Sequence, residues 1–218
     1  MQITYLGHSA FEIKTNEKKI LVDPFLVMSP NYDFSCVTDI FVTHGHSDHL
    51  GSAIEISQKT GAKVTAIFEL ANYCASKGAI VNGVNLGSWI NYDWGKSIAV
   101  PAFHSSSTPE GFYAGASCGY VFEIEGKTIY HAGDTCLNSE MKVIGDLYEP
   151  DFSMLPVGGT YTMDIEHAVI ASEWLKTSAV IPMHYNTFDV INVDIKDFET
   201  QIRNRGKMPV IMQIGQSF

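Results

Sequence analysis

The chain has 218 residues, of which 45% are hydrophobic and 17% charged, and its formal net charge is −10 at neutral pH. This composition is typical of a globular protein long enough to bury a core, and it excludes an intrinsically disordered chain. With 14 Lys and Arg against 24 Asp and Glu, the chain has little material for the basic surface that nucleic acid or an anionic membrane would require. A small-molecule substrate is compatible with this charge.

No targeting or membrane segment is visible in the sequence. No apolar run approaches the roughly 20 residues that cross a bilayer. The first six residues lack the basic and long apolar regions of a signal peptide, so we expect a cytoplasmic protein. The apolar content permits a homo-oligomer without requiring one. The cysteines form no CxxC pair, and we expect them to be reduced and buried. They are Cys36, Cys74, Cys118 and Cys136.

Short apolar runs separated by polar turns predict β-strands in the first third of the chain, followed by alternating strands and helices. Strands are predicted at 3–6, 10–13, 19–22, 39–43 and 63–67, and helices at 50–60 and 71–76. In the second half, a hairpin around 93–96 precedes strands at 97–103, 119–124, 127–130, 151–156, 179–182 and 210–214. Helices are predicted there at 139–147, 165–176 and 194–203.

Both halves therefore begin with antiparallel strands and continue with alternating strands and helices. This pattern predicts an α/β fold in which two mixed sheets pack face to face with helices outside them, a four-layer α/β/β/α sandwich. No linker-like tract and no short-period repeat interrupts the chain. We expect residues 1–218 to form a single domain made of two similar halves.

Three histidines and one aspartate lie within six positions, in the segment His44-Gly45-His46-Ser47-Asp48-His49. Neutral imidazole and carboxylate are common nitrogen and oxygen ligands of Zn²⁺ and related ions. The segment lies between a predicted strand and a predicted helix, and residues two apart on an extended strand end point the same way. An expression tag is a poor explanation, because tags lie at termini and lack the interleaved Asp and Gly. The segment therefore predicts a metal site, with donors enough for two ions.

Further ligand-type residues follow three other predicted strands. His104 follows the strand at 97–103, His131 and Asp134 follow the strand at 127–130, and His184 follows the strand at 179–182. Each histidine alone is more typical of a hydrogen-bonded structural residue than of a ligand. Because strand ends are where α/β sheets collect their sites, the joint occurrence of these residues favours one metal centre.

The order His44-x-His46-x-Asp48-His49, His104, Asp134 and His184 resembles the metallo-β-lactamase superfamily of binuclear hydrolases. The chain is more narrowly similar to a largely uncharacterised prokaryotic group of metal-dependent hydrolases, related to the ascorbate-6-phosphate lactonases. The narrower resemblance rests on segments 7–13, 22–24, 101–106, 133–135, 158–164 and 182–185. It covers essentially the whole chain, and its motifs specify fold and metals better than substrate.

The resemblance implies a ligand set for two divalent cations, with zinc as the first expectation and manganese, iron or nickel as alternatives. In this pattern one metal is held by His44, His46 and His104. The second metal is held by Asp48, His49 and His184, and Asp134 bridges both. Asp48 also resembles the dual-role aspartate of the superfamily, which binds metal and orients the attacking hydroxide or shuttles its proton.

Four residues are expected around these ligands. Asp23 matches a structural aspartate that supports the ligand loop through hydrogen bonds without binding metal. His8, in a Gly-His-Ser turn, is either a structural cap or a substrate-facing group. His131 is either a leaving-group acid or a supporting partner of a ligand. Thr162 follows a Gly-Gly pair and is a candidate for lining the pocket.

Two other features are read as structural. His167 falls in a helical pattern and is expected to be a partly buried helix residue. Ser105 and Ser106 adjoin a predicted ligand, but the chain has no GxSxG nucleophile elbow, so we expect them to form loop hydrogen bonds.

The reaction that the resemblance implies is hydrolysis of a small ester, lactone or phosphoester by a metal-bridging hydroxide. One alternative is a phosphodiesterase or nuclease of the same superfamily, which the acidity of the chain disfavours. A second is a non-catalytic metal-binding protein on the same fold. That alternative predicts missing ligands, whereas every ligand position is filled.

Overall fold

The computed structural model describes residues 1–16 and 18–218, and the chain divides into two compact units. Unit 1 comprises Met1–Ser88, Ser105–Cys118 and Met212–Phe218, and unit 2 comprises Trp89–His104 and Gly119–Ile211. Each unit is organised around one β-sheet with accompanying helices. The single-domain assignment of residues 1–218 stays a prediction.

The sheet of unit 1 has six strands in the spatial order β1-β2-β3-β4-β5-β6. β1, β2 and β3 pair antiparallel, whereas β3, β4, β5 and β6 pair parallel. The strands are β1 Gln2–Gly7, β2 Ala10–Lys14, β3 Lys19–Val22, β4 Val37–Phe41, β5 Lys63–Ile67 and β6 Ile80–Val84. The helices are α1 Ser47–Leu50, α2 Ala53–Thr60 and α3 Phe68–Ser76, with a 3₁₀ turn at Leu26–Met28.

The sheet of unit 2 has seven strands in the order β13-β12-β11-β10-β9-β8-β7. β7 and β8 pair antiparallel, as do β9 and β10, and β10 to β13 pair parallel. The strands are β7 Trp89–Tyr92, β8 Gly95–Pro101, β9 Cys118–Ile124, β10 Lys127–His131, β11 Phe152–Pro156, β12 Ala179–Met183 and β13 Met208–Pro209. The helices are α4 Glu140–Tyr148, α5 Ile165–Trp174 and α6 Ile195–Asn204, with a 3₁₀ turn at Asp189–Ile191.

The predicted α/β class with two mixed sheets and helices is therefore confirmed, and most predicted elements are found. The predicted strand at 210–214 is wrong: β13 is Met208–Pro209, the Val210 N–H still donates to the Val180 carbonyl oxygen at 2.8 Å, and from Met212 onward the chain belongs to unit 1. β6 was not predicted, since an edge strand containing Asn82 and Gly83 has no continuous apolar pattern. The single helix predicted at 50–60 is two helices.

Gly51 separates these two helices. Its φ of 45° lies in the left-handed region, and a Cβ at this position would lie 2.3 Å from the carbonyl oxygen of Pro24. Glycine permits both this backbone conformation and this close approach. The contact holds α1, which carries Asp48 and His49, against the segment after Asp23.

A buried apolar cluster in unit 1 fixes the strand ends from which the candidate ligands extend. Leu21 of β3, Ile40 of β4 and Val64 of β5 enter this cluster, together with residues of α1, α2 and α3. Its members include Leu21, Ile40, Leu50, Ile56, Val64 and Leu70. Because strand residues two apart share one face, the register of β3 and β4 is set by this burial.

All four cysteines are free thiols. Cys74 and Cys118 are buried as predicted, but Cys36 and Cys136 are exposed, so the expectation of burial is wrong for these two. Cys36 precedes β4 and Cys136 follows Asp134, and connecting segments of this kind run over the surface. None of the described helices is both long enough and apolar enough to cross a membrane.

We expect a thiol reagent at pH 8 to modify Cys36 and Cys136 rapidly in the native chain, and all four cysteines only after unfolding. Burial raises the pKa of the Cys74 thiol to about 12, so this thiol stays protonated and unreactive. Cys118 donates a hydrogen bond from Sγ to the Thr43 carbonyl oxygen at 3.3 Å. A colorimetric thiol assay measures the number of rapidly reacting thiols per chain. Replacing either Cys36 or Cys136 by Ser should lower that number by one. Rapid reaction of Cys74 would contradict the burial argument.

Candidate metal centre

Unit 1 brings the predicted donors of the histidine-rich segment together. His44 and His46 follow β4, and Asp48 and His49 lie in the short helix α1. Nε2 of His44 lies 3.0 Å from Nδ1 of His46. His8 joins this group from the turn between β1 and β2, and the ligand atoms of His8, Asp48 and His49 lie within 4.8 Å of one another. Segments distant in sequence therefore converge on one group of nitrogen and oxygen donors.

Asp23 is fully buried and makes hydrogen bonds to Thr43 and to His49 of the histidine-rich segment. Its Oδ1 accepts a hydrogen bond from the backbone N–H of Thr43 at 2.8 Å. Its Oδ2 accepts from the Thr43 hydroxyl at 2.7 Å and lies 2.7 Å from Nδ1 of His49. These contacts are those expected of a carboxylate that orients metal ligands.

The contacts of Asp23 determine which nitrogen of two histidines carries hydrogen. Since a carboxylate only accepts, Nδ1 of His49 must donate to Asp23, so in the neutral ring Nε2 keeps its lone pair. The Thr43 hydroxyl donates its hydrogen to Asp23, and it therefore accepts a hydrogen bond from Nδ1 of His44 at 3.1 Å. Both neutral rings thus keep a lone pair on Nε2, the form in which imidazole binds metal.

Thr43 was not identified as a functional residue from the sequence. It connects Asp23 to His44, and no motif marks a threonine in this role. The available signal was its position, a hydroxyl residue directly before the first histidine of the cluster.

Gly45 lets a neighbouring loop pack directly against the histidine-rich segment. A Cβ on Gly45 would lie 2.7 Å from both the Ala114 Cβ and the Ser107 carbonyl oxygen. The backbone N–H of Gly45 donates to the Ser106 hydroxyl at 3.2 Å. Ser106 is thus a loop hydrogen-bonder as expected, and Ser105 accepts a hydrogen bond at its carbonyl from the Ser117 hydroxyl at 3.2 Å.

We expect Gly45→Ala to destabilise the metal-free chain by about 1–3 kcal/mol, because an added methyl group would force backbone apart at this contact. It should also weaken metal binding, since Gly45 lies between His44 and His46. Chemical denaturation and metal titration measure the two effects. Gly83→Ala is the control, because its closest contact, at 3.2 Å, is the exposed and movable ring of Phe68. Equal behaviour of the two variants would contradict the packing argument.

Unit 2 brings the other three predicted ligands together, with two histidines around the carboxylate of Asp134. Oδ2 of Asp134 lies 3.0 Å from Nε2 of His184 and 3.6 Å from Nε2 of His104. Asp134 and His184 are buried, and His104 is partly exposed. A single carboxylate oxygen is therefore shared between imidazoles that extend from the ends of two different strands.

Thr135 holds the segments that carry these residues. Its hydroxyl accepts from the backbone N–H of Phe103, next to His104, at 3.0 Å. Its carbonyl oxygen accepts from the backbone N–H of Met163 at 3.1 Å. Thr135 was not predicted as a site residue, and its signal was adjacency to Asp134.

The remaining predicted residues take up supporting or peripheral positions. Thr162 is half-buried beside Met163, and its hydroxyl donates to the Met163 carbonyl at 3.3 Å. His131 is buried, and its Nδ1 accepts from the backbone N–H of Gly133 at 3.2 Å, directly before Asp134. His167 is exposed on α5 beside the helix cap Asp164, so the expectation of partial burial is wrong for this residue. Its side chain lies on the solvent face of the helix.

The donor set of each unit fits divalent cations chemically. Two nitrogens bound to one tetrahedral zinc at about 2.0–2.1 Å lie roughly 3.3 Å apart. The separation of 3.0 Å between the His44 and His46 nitrogens is close to this spacing, as is the separation between Asp134 and His184. Imidazole with carboxylate suits zinc, manganese, iron and nickel, so the set does not select one of them.

Comparison with known proteins gives the same fold and chemistry. A family model described as the beta-lactamase superfamily domain matches residues 2–184. A UPF0173 metal-dependent hydrolase of Anoxybacillus flavithermus is 42% identical over 225 residues, which cover all of this chain and 99% of the relative. The chain belongs to the UPF0173 metal-dependent hydrolases of the metallo-β-lactamase superfamily.

A second relative and a solved structure agree with this assignment. A UPF0173 metal-dependent hydrolase of Bacillus cereus is 40% identical over 227 residues, which cover all of this chain and 99% of the relative. The solved structure of a metallo hydrolase from the archaeon Ignicoccus hospitalis is 35% identical, with a TM-score of 0.91 and coverage of 100% and 97% of the two chains. The predicted superfamily and its fold are therefore confirmed, and the UPF0173 chain is a metal-dependent hydrolase.

Proposed function

We propose that this UPF0173 chain is a binuclear hydrolase of a small ester, lactone or phosphoester. In this proposal His44, His46 and His104 hold one divalent cation. Asp48, His49 and His184 hold the second cation, and Asp134 bridges the two. Zinc is the proposed ion, with manganese, iron or nickel as substitutes.

One observation carries the binuclear proposal. A single oxygen of Asp134 faces both His184 and His104, at 3.0 and 3.6 Å, and the resemblance assigns these histidines to different metals. A carboxylate between two histidines of separate sites is suited to bridging. These separations match the spacing of ligands on a shared metal, so the assignment of the two histidines to different metals makes Asp134 the proposed bridge.

Two divalent cations, when bound, polarise a substrate oxygen and lower the pKa of water, so that hydroxide forms near neutral pH. The residues of the chain supply the rest of the chemistry. The Asp48 side chain is 27% exposed, so its carboxylate is accessible to water and can accept a proton or orient the nucleophile. Asp23 and Thr43 keep His49 and His44 in the orientation and tautomer that binding requires.

The two rival functions are less well supported. A nuclease must hold a polyanion, and a net charge of −10 opposes this. A non-catalytic metal-binding protein would not need a proton-accepting carboxylate with access to solvent, as Asp48 has. We propose a small-molecule substrate, no nucleic-acid or membrane partner and a cytoplasmic location, and the apolar content leaves a homo-oligomer open.

The test combines metal analysis with a hydrolysis screen. The purified chain should contain two equivalents of a divalent metal, measured by plasma emission spectrometry. It should hydrolyse at least one member of a panel of simple lactones, aryl esters, thioesters and phosphomonoesters, which is screened beside phosphodiesters, and lose this activity with a chelator. Turnover of phosphodiesters alone would favour the alternative hypothesis that the chain is a phosphodiesterase. A single tightly bound metal would overturn the binuclear proposal.

A further inference from the structure

The fully buried side chain of His8 lies next to Asp48, the candidate ligand of unit 1 that is proposed to accept or shuttle a proton. Its Nε2 lies 3.2 Å from Oδ2 of Asp48. Because a carboxylate only accepts hydrogen bonds, this geometry places the imidazole hydrogen on Nε2 and directs it at Asp48. The Asp48 side chain is 27% exposed and His8 is not, so the carboxylate lies on the solvent side of the ring.

The backbone of His8 has an unusual conformation that it shares with residues of the site. Among the described residues, eight non-glycine residues have positive φ. Five of them are exposed: Glu125, Glu149, Thr160, Lys176 and Asn186. The three buried ones are His8 at 57°, Asp23 at 45° and His184 at 54°. Buried non-glycine residues in this region are uncommon and cluster where function requires a side chain in one place.

Three contacts hold His8 in this place, one at its backbone and two at its ring. The Tyr5 hydroxyl donates to the His8 carbonyl oxygen at 3.2 Å. The ring makes edge contacts with the rings of Phe25 and His49, each with centroids 5.6 Å apart. The ring is thus enclosed by aromatic neighbours, and its Nε2 is directed at the Asp48 carboxylate.

We propose that His8 is a positioning residue that holds the Asp48 carboxylate by a hydrogen bond from Nε2–H. By donating to Oδ2, His8 would select a single rotamer of Asp48, the carboxylate that is proposed to hold the second cation and to orient the nucleophile. His8 is not itself a metal ligand in this arrangement, since its Nε2 carries hydrogen. The inference rests on the proposed function, because it assigns a role relative to the second metal.

Metal affinity measured with His8→Ala and His8→Gln tests this role. His8→Ala removes the donor and should weaken the second metal-binding step about 10- to 100-fold, the usual effect of losing a partner of a ligand. The first step should stay unchanged. His8→Gln retains an N–H donor near the position of Nε2, so it should recover most of the affinity. Titration of the metal-free chain with zinc against a competing chelator resolves the two steps, and thermal unfolding of the metal-free variants reports any folding defect.

His167→Ala is the matched control, because His167 is an exposed histidine paired with an aspartate on α5 and should leave both steps unchanged. If His8→Ala binds both metals like the wild type, the positioning role is overturned. If His8→Gln is as weak as His8→Ala while both fold normally, His8 acts as a ligand and the inference is equally overturned. If the wild type binds one metal, the binuclear proposal fails first, which separates the two failures.

Discussion

Asp134→Ala should abolish binding of the second metal and turnover together. The variant removes the carboxylate that is 3.0 Å from His184 and 3.6 Å from His104, so the proposed bridge disappears. Metal stabilisation of a hydrolytic transition state is worth several kcal/mol, so we expect kcat/KM to fall by at least roughly a thousandfold. Metal content by emission spectrometry and turnover on the substrate found by the screen measure the two effects.

Asp146→Ala is the matched control for this variant. Asp146 is an exposed aspartate paired with Lys176 at 2.7 Å, and exposed pairs contribute on the order of 0–1 kcal/mol to stability. Its loss should leave metal content and turnover unchanged. Unchanged hydrolysis in Asp134→Ala would refute the mechanism, whereas loss of turnover with both metals retained would limit Asp134 to the chemical step.

The fold class could be predicted from the sequence because the spacing of apolar residues differs between strands and helices. Strands 19–22 and 63–67 were located to the residue, since every residue after the leading lysine is buried and these residues are mostly apolar. β6 was not predicted because an edge strand need not carry apolar residues on both faces. The false strand at 210–214 has the right composition, but from Met212 onward the chain belongs to unit 1, and composition does not show where a chain leaves a sheet.

For the candidate site, the sequence predicted the ligands better than the residues that orient them. Ligand types and spacings are chemical requirements of a metal, so His44, His46 and Asp134 could be predicted as ligands from the sequence and its resemblance. The residues that orient ligands are chosen by three-dimensional contact alone. In the sequence, Thr43 differs from other threonines only by directly preceding His44, and the structure is needed to show that its hydroxyl lies between Asp23 and His44.

Asp23→Ala should destabilise the metal-free chain and also weaken metal binding. The buried carboxylate of Asp23 accepts from the Thr43 backbone, the Thr43 hydroxyl and His49. Three buried donors would lose their acceptor, at about 1–3 kcal/mol each before the structure relaxes, so we expect a loss on the order of 3–5 kcal/mol. Chemical denaturation with a chelator present measures the stability, and zinc titration measures the affinity.

Asp23→Asn separates the two effects, because Asn has nearly the shape of Asp and also tolerates the φ of 45° at this position. Its amide oxygen can still accept from Thr43, so the fold should lose less stability than in Asp23→Ala. With the oxygen on Thr43, the amide nitrogen faces Nδ1 of His49 and donates to it. The His49 hydrogen then moves to Nε2, where it occupies the lone pair that a metal requires. We therefore expect Asp23→Asn to fold but to bind metal about 10- to 100-fold more weakly. Wild-type affinity in a folded Asp23→Asn chain would show that the tautomer of His49 does not control metal binding.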